Sequence, residues 1–249
     1  MDTVTTKVQT LFDELQYGDF SHGQKREKFN SLICEFLSLA KEGDKIFDIG
    51  CGSGFYMDLY LRQGIKKEQI VAVDLGPSNI ENLKAKGFNA FVGNVVDLHF
   101  EDNVSDLTIC QGVFPIVSNS LKAFSELVRV TKPGGYILLN VYYKWHPYFY
   151  IAHRATFPAR YIYWHWNKKI ADLFFPIYKI LFQPIALITL GELLDDKTLR
   201  ALYMDHVFSP ITNLHSRSDI KFYVKECNCK IVRFKFNRFF SMLAAIIKT

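Results

Sequence analysis

The sequence predicts an α/β fold: a doubly wound, seven-stranded sheet, parallel except for one antiparallel strand, with a helical, aromatic-rich lid inserted after strand five. Two patterns carry this expectation. Between residues 45 and 143 five short apolar runs alternate with amphipathic helical segments, and after the aromatic stretch a final helix is followed by two more apolar runs. Short apolar runs separated by helices specify parallel strands covered on both faces.

The chain opens with two amphipathic stretches, Thr5 to Gln16 and Gln24 to Lys41. In the second, Phe29, Leu32, Ile33, Phe36 and Leu37 recur at helical spacing. Glu42-Gly43-Asp44 breaks that pattern, and the predicted strands follow at Lys45 to Gly50, Gln69 to Asp74, Asn89 to Asn94, Asp106 to Gln111 and Tyr136 to Tyr143. The helices between them are Tyr56 to Gln63, Ser78 to Lys86 and Ser120 to Val130. The last of these is stopped by Thr131-Lys132-Pro133-Gly134-Gly135, a strong turn signal.

From Trp145 to about Leu190 the composition changes: all three tryptophans fall there, among many tyrosines and phenylalanines. This reads as the lid. Ser216 to Glu226 then reads as a helix, and Cys229 to Phe236 and Ser241 to Ile247 as two strands, with Asn237-Arg238 near their turn. The expected division is 1–144 for the N-terminal helices and core, 145–205 for the lid, and 206–249 for the helix and hairpin that complete the sheet.

Composition narrows the function. The chain has 249 residues, 49% apolar, with a net charge of +5, which excludes disorder and gives a sizeable core. No block repeats at a fixed period, so a solenoid is a poor reading. Five cysteines, an odd number, and a polar start point to reduced thiols in a cytoplasmic protein. Cys227 and Cys229 are too close for a zinc knuckle and no second pair completes a site, so no metal is expected. Charge is divided unevenly: up to Tyr143 there are 14 basic and 18 acidic residues, giving −4, whereas from Lys144 onward 16 against 7 give +9. The two parts face different partners, or the basic part merely keeps the chain in solution.

The chemistry concentrates at Ile46-Phe47-Asp48-Ile49-Gly50-Cys51-Gly52-Ser53-Gly54-Phe55, a strand entering a glycine turn and then a helix. Alternating glycines let a ligand approach the backbone, and free amides at a helix start attract a carboxylate or phosphate. A dinucleotide fingerprint needs glycine at the sixth position, which is Phe55, so hydride transfer is disfavoured. Asp74, 20 residues beyond Gly54 at the end of the second strand, suits both hydroxyls of a ribose.

With these residues the sequence resembles the class I S-adenosylmethionine-dependent methyltransferases, a Rossmann-like family, and within it the small-molecule branch of ubiquinone and menaquinone methyltransferases. The resemblance covers about Phe29 to Tyr143 and returns at the C-terminal hairpin. It implies that Asp48, Gly50, Cys51, Gly52 and Gly54 hold the methionine end of the cofactor. Asp74 would take the ribose and Leu75 would pack on the adenine. Asn94, where the family usually has an acid, and Val95 would meet the adenine edge, Asn94 accepting through its amide oxygen. Gln111 and Gly112 would line the cofactor beside the transferred methyl. Arg129-Val130-Thr131-Lys132-Pro133-Gly134-Gly135 resembles the segment that precedes the family's fifth strand.

Methyl transfer is an in-line displacement, so the protein must align the acceptor and exclude water; a base is needed only for a protonated acceptor. Candidates are Asp205, His206 and His215, in a segment resembling one that some family members carry above the substrate pocket. For His215 the competing reading is a partner at the start of the last helix, and for Asp205 a structural hydrogen bond. His146 and His153 read as packing or surface residues, and Tyr142 and Tyr143 should reach the pocket mouth. Leu173 to Leu190 is largely apolar, but Pro176 and Pro184 break it. It reads as an interfacial membrane segment, or as a buried lid lining an apolar pocket or a homodimer contact. The expected acceptor is therefore a small hydrophobic or amphipathic molecule: a lipid, quinone or natural product. Two rivals stand beside it, a nucleic-acid or protein methyltransferase and a non-catalytic membrane-peripheral protein that binds the cofactor. Against nucleic acid, the aromatics occur at core-like density rather than as separated stacking residues.

Overall fold

A computed structural model of the chain describes residues 3–15, 24–145, 154–190, 193–237 and 242–249. Helices α1 (Thr3–Glu14) and α2 (Gln24–Leu37) precede strand β1 (Ile46–Ile49). Then follow α3 (Met57–Arg62), β2 (Ile70–Asp74), α4 (Pro77–Ala85), β3 (Asn89–Val92), β4 (Ser105–Gln111), α5 (Ser120–Val130) and β5 (Thr131–Tyr142). The lid contributes α6 (Phe157–His165), α7 (Ile170–Leu190) and α8 (Asp196–Tyr203), and α9 (Arg217–Glu226), β6 (Lys230–Asn237) and β7 (Met242–Lys248) complete the chain.

The strand order is β3-β2-β1-β4-β5-β7-β6. The first five strands are parallel, and β7 runs antiparallel to both β5 and β6. This is the seven-stranded arrangement that the sequence pattern predicts. Side chains alternate across the sheet and build two cores. Phe47, Ile49, Val73, Cys110 and Leu139 pack under α5 and α9, whereas Ile46, Ile70, Ala72, Ile109 and Leu138 pack under α2, α3 and α4.

The Pro-Gly-Gly segment departs from expectation. β5 begins at Thr131, not Tyr136, and Pro133, Gly134 and Gly135 lie within it as an irregularity: Ser105 pairs with Thr131, and Leu107 with Tyr136. Gly134 has φ of 82° and donates its N–H to Thr249 O, and Thr249 N–H donates to Gly135 O. The turn signal therefore marks a bulge secured by the last residue.

The lid has its own core of Tyr163, Ala171, Tyr203, Met204, Val207 and Phe208, and Leu11 of α1 packs into it. Packing continues past α8 through a π-helical turn, Met204–Phe208. One expectation about the apolar run is corrected: Pro176 and Pro184 do not break it, and α7 runs unbroken for 21 residues. Its burial is partial, Ala171 and Ala186 being enclosed while Leu173 and Ile180 are more than two-thirds exposed. The expected hairpin turn, and His146 and His153, lie outside the described residues.

Candidate active site

β1 delivers the chain into the glycine turn at the carboxyl edge of the sheet. Gly50, Gly52 and Gly54 have φ of 79°, 54° and 87°, backbone conformations that side chains resist. The glycines differ in what lies above them. A Cβ on Gly50 would come within 2.0 Å of Val113 Cγ2, and one on Gly54 within 2.5 Å of Leu83 Cδ2. At Gly52 and at Gly112, where φ is 72°, nothing stands within 4 Å. Gly50 and Gly54 thus serve close packing, while Gly52 and Gly112, in the turns that follow the adjacent strands β1 and β4, have open space where a side chain would stand.

Asp74 closes one side. Its Oδ2 accepts from Gly52 N–H at 2.9 Å, and its Oδ1 accepts from Gly76 N–H at 2.8 Å and from Asn79 Nδ2 at 3.2 Å. A carboxylate oxygen can accept two hydrogen bonds, and Oδ2 takes one from the described residues, so the pinned group retains capacity for a ligand hydroxyl. Leu75 is half-buried next to it, and its carbonyl accepts from Gln9 Nε2. Asn94 Oδ1 accepts from Val96 N–H at 3.2 Å, which fixes the amide in an Asx turn, and Val95 is buried in the core. At the end of β4, Gln111 Oε1 accepts from Asn140 Nδ2 at 3.5 Å, and Gln111 Nε2 is buried with no partner among the described residues. A buried orphan donor is costly unless something meets it.

Asp48 is placed differently from the rest of this group. It is 3% exposed beneath the turn, and its Oδ2 accepts from the Tyr60 hydroxyl at 3.0 Å. Burial pushes its carboxyl up to about 7, against the opposing hydrogen bond from Tyr60. Cys51 and Cys110 are buried and burial raises both thiols, so neither is a thiolate nucleophile.

At the lid side of the sheet, β5 ends in Tyr142, and Tyr143 follows it. The Tyr142 hydroxyl donates to Asp205 Oδ2 at 3.1 Å, both groups being buried. His206 Nδ1 lies 3.2 Å from the Tyr178 hydroxyl of α7, with Tyr142 and Phe182 rings around it, and burial lowers its pKa to about 4. Asp205 and His206, adjacent in the π-helical turn of the lid, thus meet Tyr142 of β5 and Tyr178 of α7. His215 is kept apart. It bridges to Tyr143, the neighbour of Tyr142 whose side chain takes the opposite face, and packs against Phe114 and Tyr223. Its Nε2 lies 3.1 Å from Ser120 Oγ at the start of α5, and burial lowers its pKa to about 4. The adjoining Ser216 caps α9. His215 also borders a cavity of about 570 Å³ with Lys144 and Asn213.

Sequence reasoning assigned no role to α1. Gln9 reaches Leu75 O, and Asp13 Oδ1 accepts from Ser78 N–H at 3.1 Å and from Ser78 Oγ at 2.6 Å, capping α4. Leu11 meanwhile joins the lid core, so α1 ties the cofactor edge to the lid. The available signal was the spacing of Gln9 and Asp13, one helical turn apart on one face. No cluster of three His, Cys, Asp or Glu side chains suited to a metal occurs among the described residues.

Against known proteins, residues 47–139 match the family described as the methyltransferase domain. This chain carries a class I S-adenosylmethionine-dependent methyltransferase domain. The domain matches a demethylmenaquinone methyltransferase of Paenarthrobacter aurescens with 30% identity, over 55% of this chain and 51% of that protein. It also matches a tRNA (carboxymethyluridine(34)-5-O)-methyltransferase of Arabidopsis thaliana with 31% identity, over 44% of this chain and 27% of that protein. The chain spans about a quarter to a half of the length of these curated relatives. The magnesium protoporphyrin IX methyltransferase of Synechocystis, solved with S-adenosylmethionine, has the same fold: TM-score 0.58 at 12% identity, covering all of this chain and 98% of that one. The open space at Gly52 and Gly112, the pinned Asp74 and the unmet Gln111 donor fit this cofactor.

Proposed function

We propose that the chain transfers the methyl group of S-adenosylmethionine to a small hydrophobic or amphipathic acceptor with a hydroxyl or carboxyl group at the reacting end. The carrying observation is the buried Tyr142–Asp205 pair beside His206, whose ring is flanked by Tyr142 and Phe182 and whose Nδ1 lies against the Tyr178 hydroxyl. A few polar groups within an aromatic enclosure favour an apolar molecule with one polar end. The Tyr203 hydroxyl, buried in the lid core and without a partner among the described residues, supports the same reading.

In this reading Gly52, Asp74, Leu75, Asn94, Gln111 and Gly112 hold the cofactor, which when bound supplies an electrophilic methyl, while Asp48 and Val95, buried beneath, and the closely packed Gly50 and Gly54 support the loops that carry them. The lid excludes water, and Tyr142 and Asp205 orient the acceptor. Asp205 is the proposed proton acceptor for an acceptor hydroxyl. His206 is neutral at pH 7 and a weak base at about 4, so its proposed role is to hold the acceptor through hydrogen bonding. His215, among core aromatics, is assigned to positioning the end of β5.

A quinone methyltransferase and a tRNA methyltransferase match this chain with nearly equal identity, so the shared part does not choose the acceptor. The test is release of S-adenosylhomocysteine with a panel of phenols, quinols, fatty carboxylates and tRNA. The expected result is turnover of an apolar phenol or carboxylate, with Tyr142→Phe lowering kcat about tenfold and leaving cofactor affinity unchanged. Turnover of tRNA alone would replace this reading with the nucleic-acid one. Cofactor binding with no turnover across the panel would favour the non-catalytic one.

A further inference from the structure

α7 wears its apolar side outward. Its inner face, with Ala171, Phe175, Tyr178 and Ala186, packs into the lid, and a polar flank ties it to α8: Asp172 pairs with Arg200, Lys179 Nζ lies 2.5 Å from Asp196 Oδ1, and Gln183 exchanges hydrogen bonds with the Leu194 backbone. The remaining arc presents Leu173, Phe174, Ile177, Ile180, Leu181 and Leu187, between 40% and 73% exposed. At 100° and 1.5 Å per residue these six side chains cover an arc of about 140° and a length of about 21 Å. An ordinary surface helix turns polar residues to water, and a contiguous bare aliphatic face of this size marks an interaction site.

We propose that this face of α7 lies in the headgroup–acyl boundary of an anionic lipid bilayer, parallel to its surface. Three observations choose lipid over a second copy of the chain. The six side chains offer no donor or acceptor, whereas protein interfaces average about one hydrogen bond per 100–200 Å² and hydrocarbon needs none. Just before the helix stand Trp166, 76% exposed, and Tyr161, 46% exposed, followed by exposed Lys168 and Lys169, which have no carboxylate partner among the described residues. Aromatic rings and lysines are the side chains that settle at headgroup level. Finally, the part of the chain from Lys144 onward carries +9, complementary to anionic headgroups.

The helix lies on the membrane rather than across it. By length and composition Ile170–Ile188 could span a bilayer. Its polar flank is bonded to α8 and its inner face is part of the lid core, so crossing would strip both contacts and carry Lys179 into hydrocarbon. This inference does not depend on the identity of the acceptor.

The test is co-sedimentation of the 249-residue chain with vesicles of phosphatidylcholine containing about 30% phosphatidylserine, beside vesicles of phosphatidylcholine alone and a measurement of mass in solution. Binding to the anionic vesicles is expected, at least tenfold weaker for Ile177→Glu/Leu181→Glu and several-fold weaker for Lys168→Glu/Lys169→Glu. Both variants change exposed positions, and unchanged S-adenosylhomocysteine binding verifies that they are folded. Protein that stays in the supernatant when the anionic vesicles are pelleted, whether monomer or dimer, overturns the proposal. Binding unaffected by the Ile177/Leu181 change overturns it equally, since another surface would then be responsible.

Discussion

The cofactor edge and the lid solve opposite problems with the same kinds of residue. At the edge, polar backbone is turned toward open space with strand side chains drawn beneath it: Ile49 and Val73 are fully enclosed while Gly52 and Gly112 have nothing above them. In the lid the arrangement is inverted. Polar pairs such as Tyr142–Asp205 are inside, and α7 shows Leu173 and Ile180 to the outside. The edge is built for a charged, water-borne ligand. The proposed acceptor and the proposed bilayer would place apolar material on both faces of the lid.

The two kinds of glycine test the first half of this contrast most severely. Gly50→Ala should cost about 3 kcal/mol or more of stability, because it combines an overpacked contact with Val113 and a left-handed backbone. Gly52→Ala has space for its methyl, so only about 1 kcal/mol is expected, yet that methyl occupies the cleft and should lower cofactor affinity at least tenfold. Chemical denaturation beside calorimetry separates the two effects. Equal stability losses would show that the turn is merely structural.

Acidity should expose the buried groups next. His206 and His215 have folded pKa values near 4, below the ordinary 6.5, so the unfolded chain binds more protons between those values and stability falls as pH drops from about 6.5 toward 4. Asp48 acts in the opposite sense, since a carboxyl raised to about 7 contributes stability at low pH that is lost as pH rises through 7. Two histidines against one aspartate leave a net loss on acidification of about 1 kcal/mol per pH unit near pH 5.5. Asp48→Asn removes the compensating group and should steepen the decline, a change visible in thermal melts from pH 7 to 5. A flat profile in both proteins would mean that these groups are solvated.

The smallest effect is expected at exposed charge. Lys66–Glu42, with side chains 65% and 89% exposed, should be worth less than about 0.5 kcal/mol by double-mutant cycle. A larger coupling would show that ordering of the loops, not charge, decides there.

The sheet was legible because each strand is bounded by its own punctuation: Glu42-Gly43-Asp44 before β1, the glycine turn after it, and Asp74 at the end of β2. The glycine turn and Asp74 could be located for the same local reason. What was not legible depends on contacts distant in sequence. Pro133 to Gly135 reads as a turn until Thr249 arrives to hold it within β5. Pro176 and Pro184 read as breaks, but α7 continues through them because its neighbours in the lid hold it on either side. That Asp205 would meet Tyr142, 63 residues away, while His215 went to the other side of β5, follows from strand alternation and the path of the lid, and no local pattern records it.

The central claim is that the space between Gly52, Asp74 and Gly112 is an S-adenosylmethionine site. Its most direct measurement is calorimetric titration of the full chain with S-adenosylhomocysteine, with Asp74→Ala as the paired variant. The account predicts saturable one-to-one binding that Asp74→Ala weakens at least tenfold, about 1.4 kcal/mol. Folded wild-type protein that takes up no ligand at millimolar concentration, or a variant that binds as tightly as wild type, would contradict it.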